Sequence, residues 1–258
     1  MNLTGDRSVL DAVMVKAEDF LTNGLPVDLG NPAPPTPDFR AVEHPWIFEA
    51  KSEMVESNPV HDEGIVVSTQ VAYVGEGGRL YDVGDQVSAS TNVVSHYLTT
   101  GYMWDVIRAK NGAYGAYSHF SDYDGIATMY TYRDPNAPED TLSAFHAAAD
   151  DILKDAEEKL TRDKNAAITT AIIGTIGGMD GSAASAKDAG WIAFLRYLRG
   201  ESALCRQRER EEVLKTSVDD FVDFAQRLKA WREPSVAIVA SQTAFNEMER
   251  ELSLFKAQ

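Results

Sequence analysis

Arg108 and Tyr114 are the side chains whose types and spacing point most directly to chemistry in this sequence. Both groups donate hydrogen bonds, one as a guanidinium and the other as a phenol. Only six residues separate them, and a chain reversal between them would bring both to the same side of one cavity. The spacing alone leaves an alternative open, in which Arg108 is a surface cation and Tyr114 packs on a sheet.

The elements around this pair favour the reversal. An apolar stripe at helical spacing precedes it and comprises Val93, Val94, Tyr97, Leu98, Gly101 and Trp104. Residues 114–132 alternate and are rich in Tyr, Phe and Thr, which is typical of two strands. Asn111 and Gly112 between them are a helix-stop and turn signal. Arg108 is therefore predicted in the last turn of a helix, where the helix dipole favours a cation.

The rest of the chain is predicted to be an α+β domain. Residues 65–74 form an apolar strand that Gly75, Gly77 and Gly78 end, and 236–240 form a second buried strand. Helices are predicted at 8–23, 87–109, 138–160, 161–178, 187–199, 203–214, 217–231 and 243–256. Few strands alternate singly with helices, so a doubly wound nucleotide-binding fold is disfavoured. We expect two layers, a largely antiparallel sheet packed against several helices.

Composition limits the partners. The chain has 258 residues, 44% of them hydrophobic, and a formal net charge of −16 with a pI near 4.7. An acidic surface argues against nucleic acid and anionic membranes and would attract basic peptides. A second explanation is that the acidic charge only keeps the protein soluble. No apolar run approaches the length of a membrane span.

No complete catalytic apparatus is visible in the chain. Neither H-x-x-E-H nor H-E-x-x-H occurs around the five histidines, so no metal ligands are predicted. The glycines at 174–178 follow a helix and make a poor phosphate loop. Cys205 is the single cysteine, which excludes a disulfide within the chain and fits a reducing compartment.

Several motifs together carry a resemblance to a known family. They lie at 71–75, 102–115, 131–136, 171–177, 196–200, 206–208, 210–216 and 219–225. In this order they resemble the C-terminal half of the presequence proteases, which belong to the pitrilysin and insulysin superfamily of inverted zinc peptidases. The resemblance covers about 200 residues, from Val66 to the end. Asn111 departs from the pattern, because the family usually has Gly there.

The resemblance implies a function divided between two halves of one enzyme. Zinc would be held by an N-terminal half outside this sequence, and this chain would need no cofactor of its own. Tyr114 would stabilise the oxyanion and Arg108 would orient the peptide. Gly112, Ala113 and Gly115 would contact the substrate. The isolated chain would then be inactive.

The partners would be the N-terminal half and an unfolded peptide, such as a cleaved targeting peptide. The resemblance also implies the mitochondrial matrix or the plastid stroma. A non-catalytic peptide-binding or structural subunit stays open as the alternative.

The domain organisation expected from these features has three parts. Residues 1–24 would be the tail of a preceding, third peptidase-like domain, and the start of the chain suggests a fragment. Residues 25–58 contain most of the prolines and would form an extended connector. Residues 59–258 would be the fourth peptidase-like domain, without a zinc motif.

Overall fold

The computed structural model describes residues 3–24, 62–82, 85–162, 166–181, 185–231 and 234–256. By its internal contacts the chain divides into two compact units. The first comprises Met1–Pro59 and Ser182–Gly200, and the second comprises Val60–Gly181 and Glu201–Gln258. The predicted connector at 25–58 lies outside the described residues. The three-part domain division stays a prediction.

The first unit contributes two described helices. These are α1 (Arg7–Asp19), which continues as a π-helical turn over Phe20–Gly24, and α5 (Ala186–Leu198). Ser185 caps α5 by accepting a 3.1 Å hydrogen bond from the Asp188 N–H.

The second unit contains a six-stranded sheet and the other helices. The strands are β1 (Asp62–Val66), β2 (Tyr73–Arg79), β3 (Gly115–Ser121), β4 (Ile126–Tyr132), β5 (Ser235–Ala240) and β6 (Ser253–Lys256). The helices are α2 (Ser90–Leu98), continued by a π-helical stretch over Thr99–Lys110, α3 (Pro138–Arg162), α4 (Ala166–Asp180), α6 (Ala203–Leu214), α7 (Val218–Lys229) and α8 (Gln242–Asn246). None of the helices in the described ranges is both long and apolar enough for a bilayer span.

The sheet is mixed, with the order β3-β4-β2-β5-β1-β6. Three pairings are antiparallel and the two that involve β1 are parallel. The predicted α+β class with helices packed on a sheet is confirmed. The sequence pattern did not indicate the parallel pairings of β1.

Helices cover one face of the sheet. Alternate strand residues on that face are buried, among them Val74, Phe120, Met129 and Ile238. They pack with apolar side chains of the helices, chiefly Leu98, Phe145, Ile152, Phe221 and Phe224. Burial of such aromatic and aliphatic side chains is the main source of stability. The buried residues of α7 form an apolar stripe at spacings of three and four, which favours an amphipathic helix there: Phe221, Phe224, Ala225 and Leu228.

The predicted strand at 65–74 was wrong in its extent, because two strands occupy this region. The Thr69 hydroxyl donates to the Val71 carbonyl at 3.1 Å and accepts from its N–H at 3.2 Å. These local bonds turn the backbone between β1 and β2. Gly75, Gly77 and Gly78 were predicted to end the strand, but they lie inside β2.

The predicted terminal helix at 243–256 was also wrong. Helix α8 is only five residues long, and β6 follows it as an edge strand beside β1. Leu254 packs against Gly64, where an added methyl group would lie 2.5 Å from the Leu254 side chain. This close approach favours glycine at position 64. The pairing of β6 with β1 therefore outweighs the helix-like spacing of the last residues.

Candidate functional site

The end of the π-helical stretch positions Arg108. Its last carbonyls accept three hydrogen bonds from the turn: Asn111 N–H to Val106 (3.1 Å), Gly112 N–H to Arg108 (3.0 Å) and Ala113 N–H to Ile107 (3.1 Å). Gly112 adopts a φ of 87°, a left-handed conformation that other residues rarely take. The helix therefore stops and the chain reverses at the predicted place.

The reversal brings Arg108 and Tyr114 together. The Arg108 guanidinium carbon lies 5.8 Å from the centre of the Tyr114 ring and 4.0 Å from the centre of the Trp104 ring. The second distance is well inside the range of a cation–π contact, while the first is near its limit. Trp104 thus holds the guanidinium in place beside the phenol. Tyr114 is 64% exposed, so its hydroxyl is open to a ligand.

A buried network fixes the turn, and the sequence reasoning did not assign it a role. Asn136 Nδ2 donates to the Asn111 carbonyl at 2.8 Å and to Asp134 Oδ1 at 2.7 Å. Asp134 is fully buried and also accepts from the Thr141 hydroxyl at 2.8 Å. The Asp-Pro-Asn sequence at 134–136 belongs to one of the motifs that carry the family resemblance, and such residues commonly bond to nearby backbone.

The face of the sheet opposite the helices carries a row of tyrosines. Tyr114 contacts Tyr132 edge to face at 5.9 Å, and Tyr132 contacts Tyr73 in the same way at 5.5 Å. Tyr117 stacks on Tyr130 at 5.1 Å. We call this surface the open face. Edge-to-face and offset contacts hold the rings in defined orientations.

Arg133 adds a second cation beside the tyrosine row. Its guanidinium lies 5.5 Å from the centre of the Tyr132 ring. The neighbouring hydroxyl groups of Tyr132 and Tyr73 raise the pKa of Arg133 above its ordinary value. The candidate site therefore combines two guanidinium groups with exposed phenols.

Beside the tyrosines, the open face is concave. Gly75 and Ala237 form the floor of two adjoining cavities, with volumes near 430 Å³ and 180 Å³. Tyr130 and Glu63 line both of them. The glycines inside β2 thus leave space on this face, which the sequence reasoning missed because it placed them after the strand.

The other predicted substrate contacts lie around the turn. Gly112 is exposed, whereas the Ala113 side chain is buried in the core, so a contact from Ala113 would use its backbone. Gly115 lies beneath Tyr117, where an added methyl group would be 2.8 Å from the phenol oxygen. The geometry brings these residues beside Tyr114, and their roles stay predictions.

The zinc that the resemblance implies finds no ligand set in the described part of the chain. No three side chains among its His, Cys, Asp and Glu residues are grouped so that they could hold a metal ion. His146 pairs with Glu76 at 2.9 Å, but these are only two groups.

Comparison with known proteins decides the family. The family model described as "PreP C-terminal domain" matches residues 62–242. The chain belongs to this family. Among curated relatives, presequence protease 1 of Arabidopsis thaliana is 38% identical over 201 residues, which is 76% of this chain and 18% of that protein. The mitochondrial presequence protease of Mus musculus is 38% identical over 85 residues, or 33% of this chain and 8% of that protein.

This chain spans less than a fifth of the length of these two relatives. A crystal structure of a protease from Helicobacter pylori shares the fold with a TM-score of 0.53 at 14% identity, covering 69% of this chain and 43% of that one. A conserved protein from Enterococcus faecalis gives 0.52 at 13% identity, with 72% and 43% covered. The predicted family is confirmed.

Proposed function

We propose that this chain is the substrate-contacting C-terminal part of a zinc metalloendopeptidase that degrades short unfolded peptides, such as cleaved targeting peptides. The observation that carries the proposal is the placement of Arg108 and Tyr114 together at the edge of the open face. The family membership and the names of the relatives support it.

Each side chain has a distinct part in the proposed reaction. When a peptide carbonyl is attacked, negative charge develops on its oxygen, and the Tyr114 hydroxyl donates a hydrogen bond to it. Arg108, held by Trp104, hydrogen-bonds the peptide backbone and fixes its orientation before the reaction. The attacking group and the zinc belong to the N-terminal half, which we propose as the partner of this chain.

The open face would hold the rest of the peptide. Tyrosine rings offer apolar area together with hydroxyl groups, which suits the mixed surface of an unfolded peptide. The net charge of −16 favours peptides that carry basic residues. The relatives' names, which include mitochondrial and chloroplastic, support a location in one of these organelles, and we propose the matrix or the stroma as the compartment.

Photo-crosslinking tests the peptide site. In the longer polypeptide that includes the N-terminal half, benzoylphenylalanine replaces Tyr130 on the open face, with Tyr123 at the β3–β4 turn as the control position. We expect a basic 20-residue peptide to crosslink at 130 and not at 123, and the preparation to cleave it. Crosslinking without cleavage would favour the non-catalytic subunit, and no preference for 130 would contradict the proposed site.

A further inference from the structure

Another cavity lies on the helix side of the sheet, across from the open face. It has a volume near 380 Å³, and its lining includes Glu76 of β2, His146 of α3, Trp231 and Arg250. We call it the Glu76 pocket. The His146 side chain is 54% exposed, so the pocket is accessible from solvent at that point.

Two buried polar atoms in this pocket lack partners within the part of the chain that the structure describes. They are Glu76 Oε2 and Trp231 Nε1. The Glu76 side chain is 0% exposed, and its other oxygen, Oε1, bonds His146 at 2.9 Å. A buried polar atom without a hydrogen bond is costly, and these two are complementary, since one accepts and the other donates.

Strand β2 carries Glu76 and leaves space for the Trp231 indole. Glu76 and Gly78 are two residues apart in one strand, so they face the same side of the sheet. The indole nitrogen of Trp231 lies directly over Gly78, where an added methyl group would overlap it. Gly78 therefore leaves the space in which the indole lies, on the same side of the strand as Glu76.

The charges around the pocket favour a cation. Among the residues that the structure describes here, the lysine and arginine side chains that line the pocket each have an acidic partner: Lys229 pairs with Asp150 at 2.6 Å, and Arg250 pairs with Asp62 at 2.7 Å. Neither of them pairs with Glu76, and His146 bonds only its Oε1, so Glu76 Oε2 has no basic partner among the described residues. Phe145 and Trp231 supply aromatic lining, which also suits a cation with an aliphatic stem.

We propose that the Glu76 pocket binds a lysine or arginine residue, with its ammonium or guanidinium group on Glu76 Oε2 and its carbonyl oxygen on the Trp231 N–H. The ligand supplies the donor and the acceptor that the two buried atoms lack. The pocket is separate from the site of Arg108 and Tyr114, because it lies on the other face of the sheet. The proposal does not depend on the peptidase activity.

Titration of the 258-residue chain with argininamide tests the proposal, followed through the indole N–H signals in NMR spectra. The Trp231 signal, assigned with Trp231→Phe, should shift saturably. Citrullinamide has nearly the same shape without the charge and should bind at least about tenfold more weakly. Glu76→Gln should weaken argininamide binding by a similar factor. Glu211→Gln removes the same charge from exposed α6 and should leave the affinity within about twofold.

Three results would overturn the proposal: no saturable shift of the Trp231 signal, equal binding of citrullinamide, or equal binding by a folded Glu76→Gln variant. The first would mean that ordered water fills the pocket. If Glu76→Gln does not fold, the comparison of the two amides with the unaltered chain decides the question. A capped tripeptide with a central arginine, compared with argininamide, distinguishes a peptide ligand from a free amino acid derivative.

Discussion

Replacing Tyr114 with phenylalanine removes one hydroxyl group and keeps the ring. The ring is exposed and its described ring contacts are with Tyr132 and Arg108, both of which phenylalanine preserves. We therefore expect the free energy of unfolding to change by less than about 0.5 kcal/mol, as for other surface substitutions. Loss of one oxyanion donor raises the reaction barrier by about 3–4 kcal/mol, which lowers kcat roughly a hundred- to a thousand-fold.

The loss should fall on kcat more than on KM, because the hydrogen bond strengthens as charge develops. The assay is steady-state cleavage of a fluorogenic peptide by the longer polypeptide, with a melting curve for each variant. Tyr123→Phe is the matched control, since Tyr123 is 61% exposed and lies in the turn between β3 and β4, at the opposite end of β3 from Tyr114. An unchanged kcat in Tyr114→Phe would refute the catalytic role. A lower melting temperature with normal turnover would show that the hydroxyl is structural.

Three further predictions test the surroundings of the site. Trp104→Leu keeps Arg108 but removes its aromatic support, so kcat/KM should fall about two- to thirty-fold, as expected for a cation–π contact of about 0.5–2 kcal/mol; a normal kcat/KM would mean that Arg108 needs no support. Gly112→Ala forces a side chain into the left-handed conformation and should cost about 1–2 kcal/mol of unfolding free energy in urea titrations, and an unchanged midpoint would contradict the turn geometry. Burial raises the pKa of Tyr81 to about 12; the Arg227 guanidinium opposes this shift, and the charge of Asp223 adds to it. Because the folded state favours the neutral phenol, the contribution of Tyr81 to the free energy of unfolding is full below pH 10 and is lost between about pH 10 and 12. The melting temperature of Tyr81→Phe should therefore fall less over this range than that of the unaltered chain. An equal fall would contradict the assignment.

The sequence predicted the elements whose signals are local. The hairpin, the stop at Asn111 and Gly112, and the α7 stripe depend on turn chemistry or periodicity within a few residues, and they form where predicted. The pairing of Arg108 with Tyr114 could be predicted for the same reason, since one short turn joins them.

Features that depend on tertiary contacts could not be predicted in this way. The glycines of β2 look like strand breakers, yet Gly78 makes room for Trp231, which lies more than 150 positions away in the chain. The last residues have helix-like spacing, but β6 forms because β1 offers an edge to pair with. Asn136 clamps the Asn111 carbonyl across 25 positions, and no periodic pattern marks such a bond.

A transition-state analogue tests the central claim, that Tyr114 and Arg108 bind the reacting peptide more tightly as it approaches the transition state. A phosphinic peptide mimics the tetrahedral geometry, and its Ki can be measured for the longer polypeptide and for Tyr114→Phe and Arg108→Ala. We expect Ki to rise in each variant by about the factor by which kcat/KM falls, because an analogue senses the interactions of the transition state. An unchanged Ki in variants with reduced kcat/KM would contradict the claim.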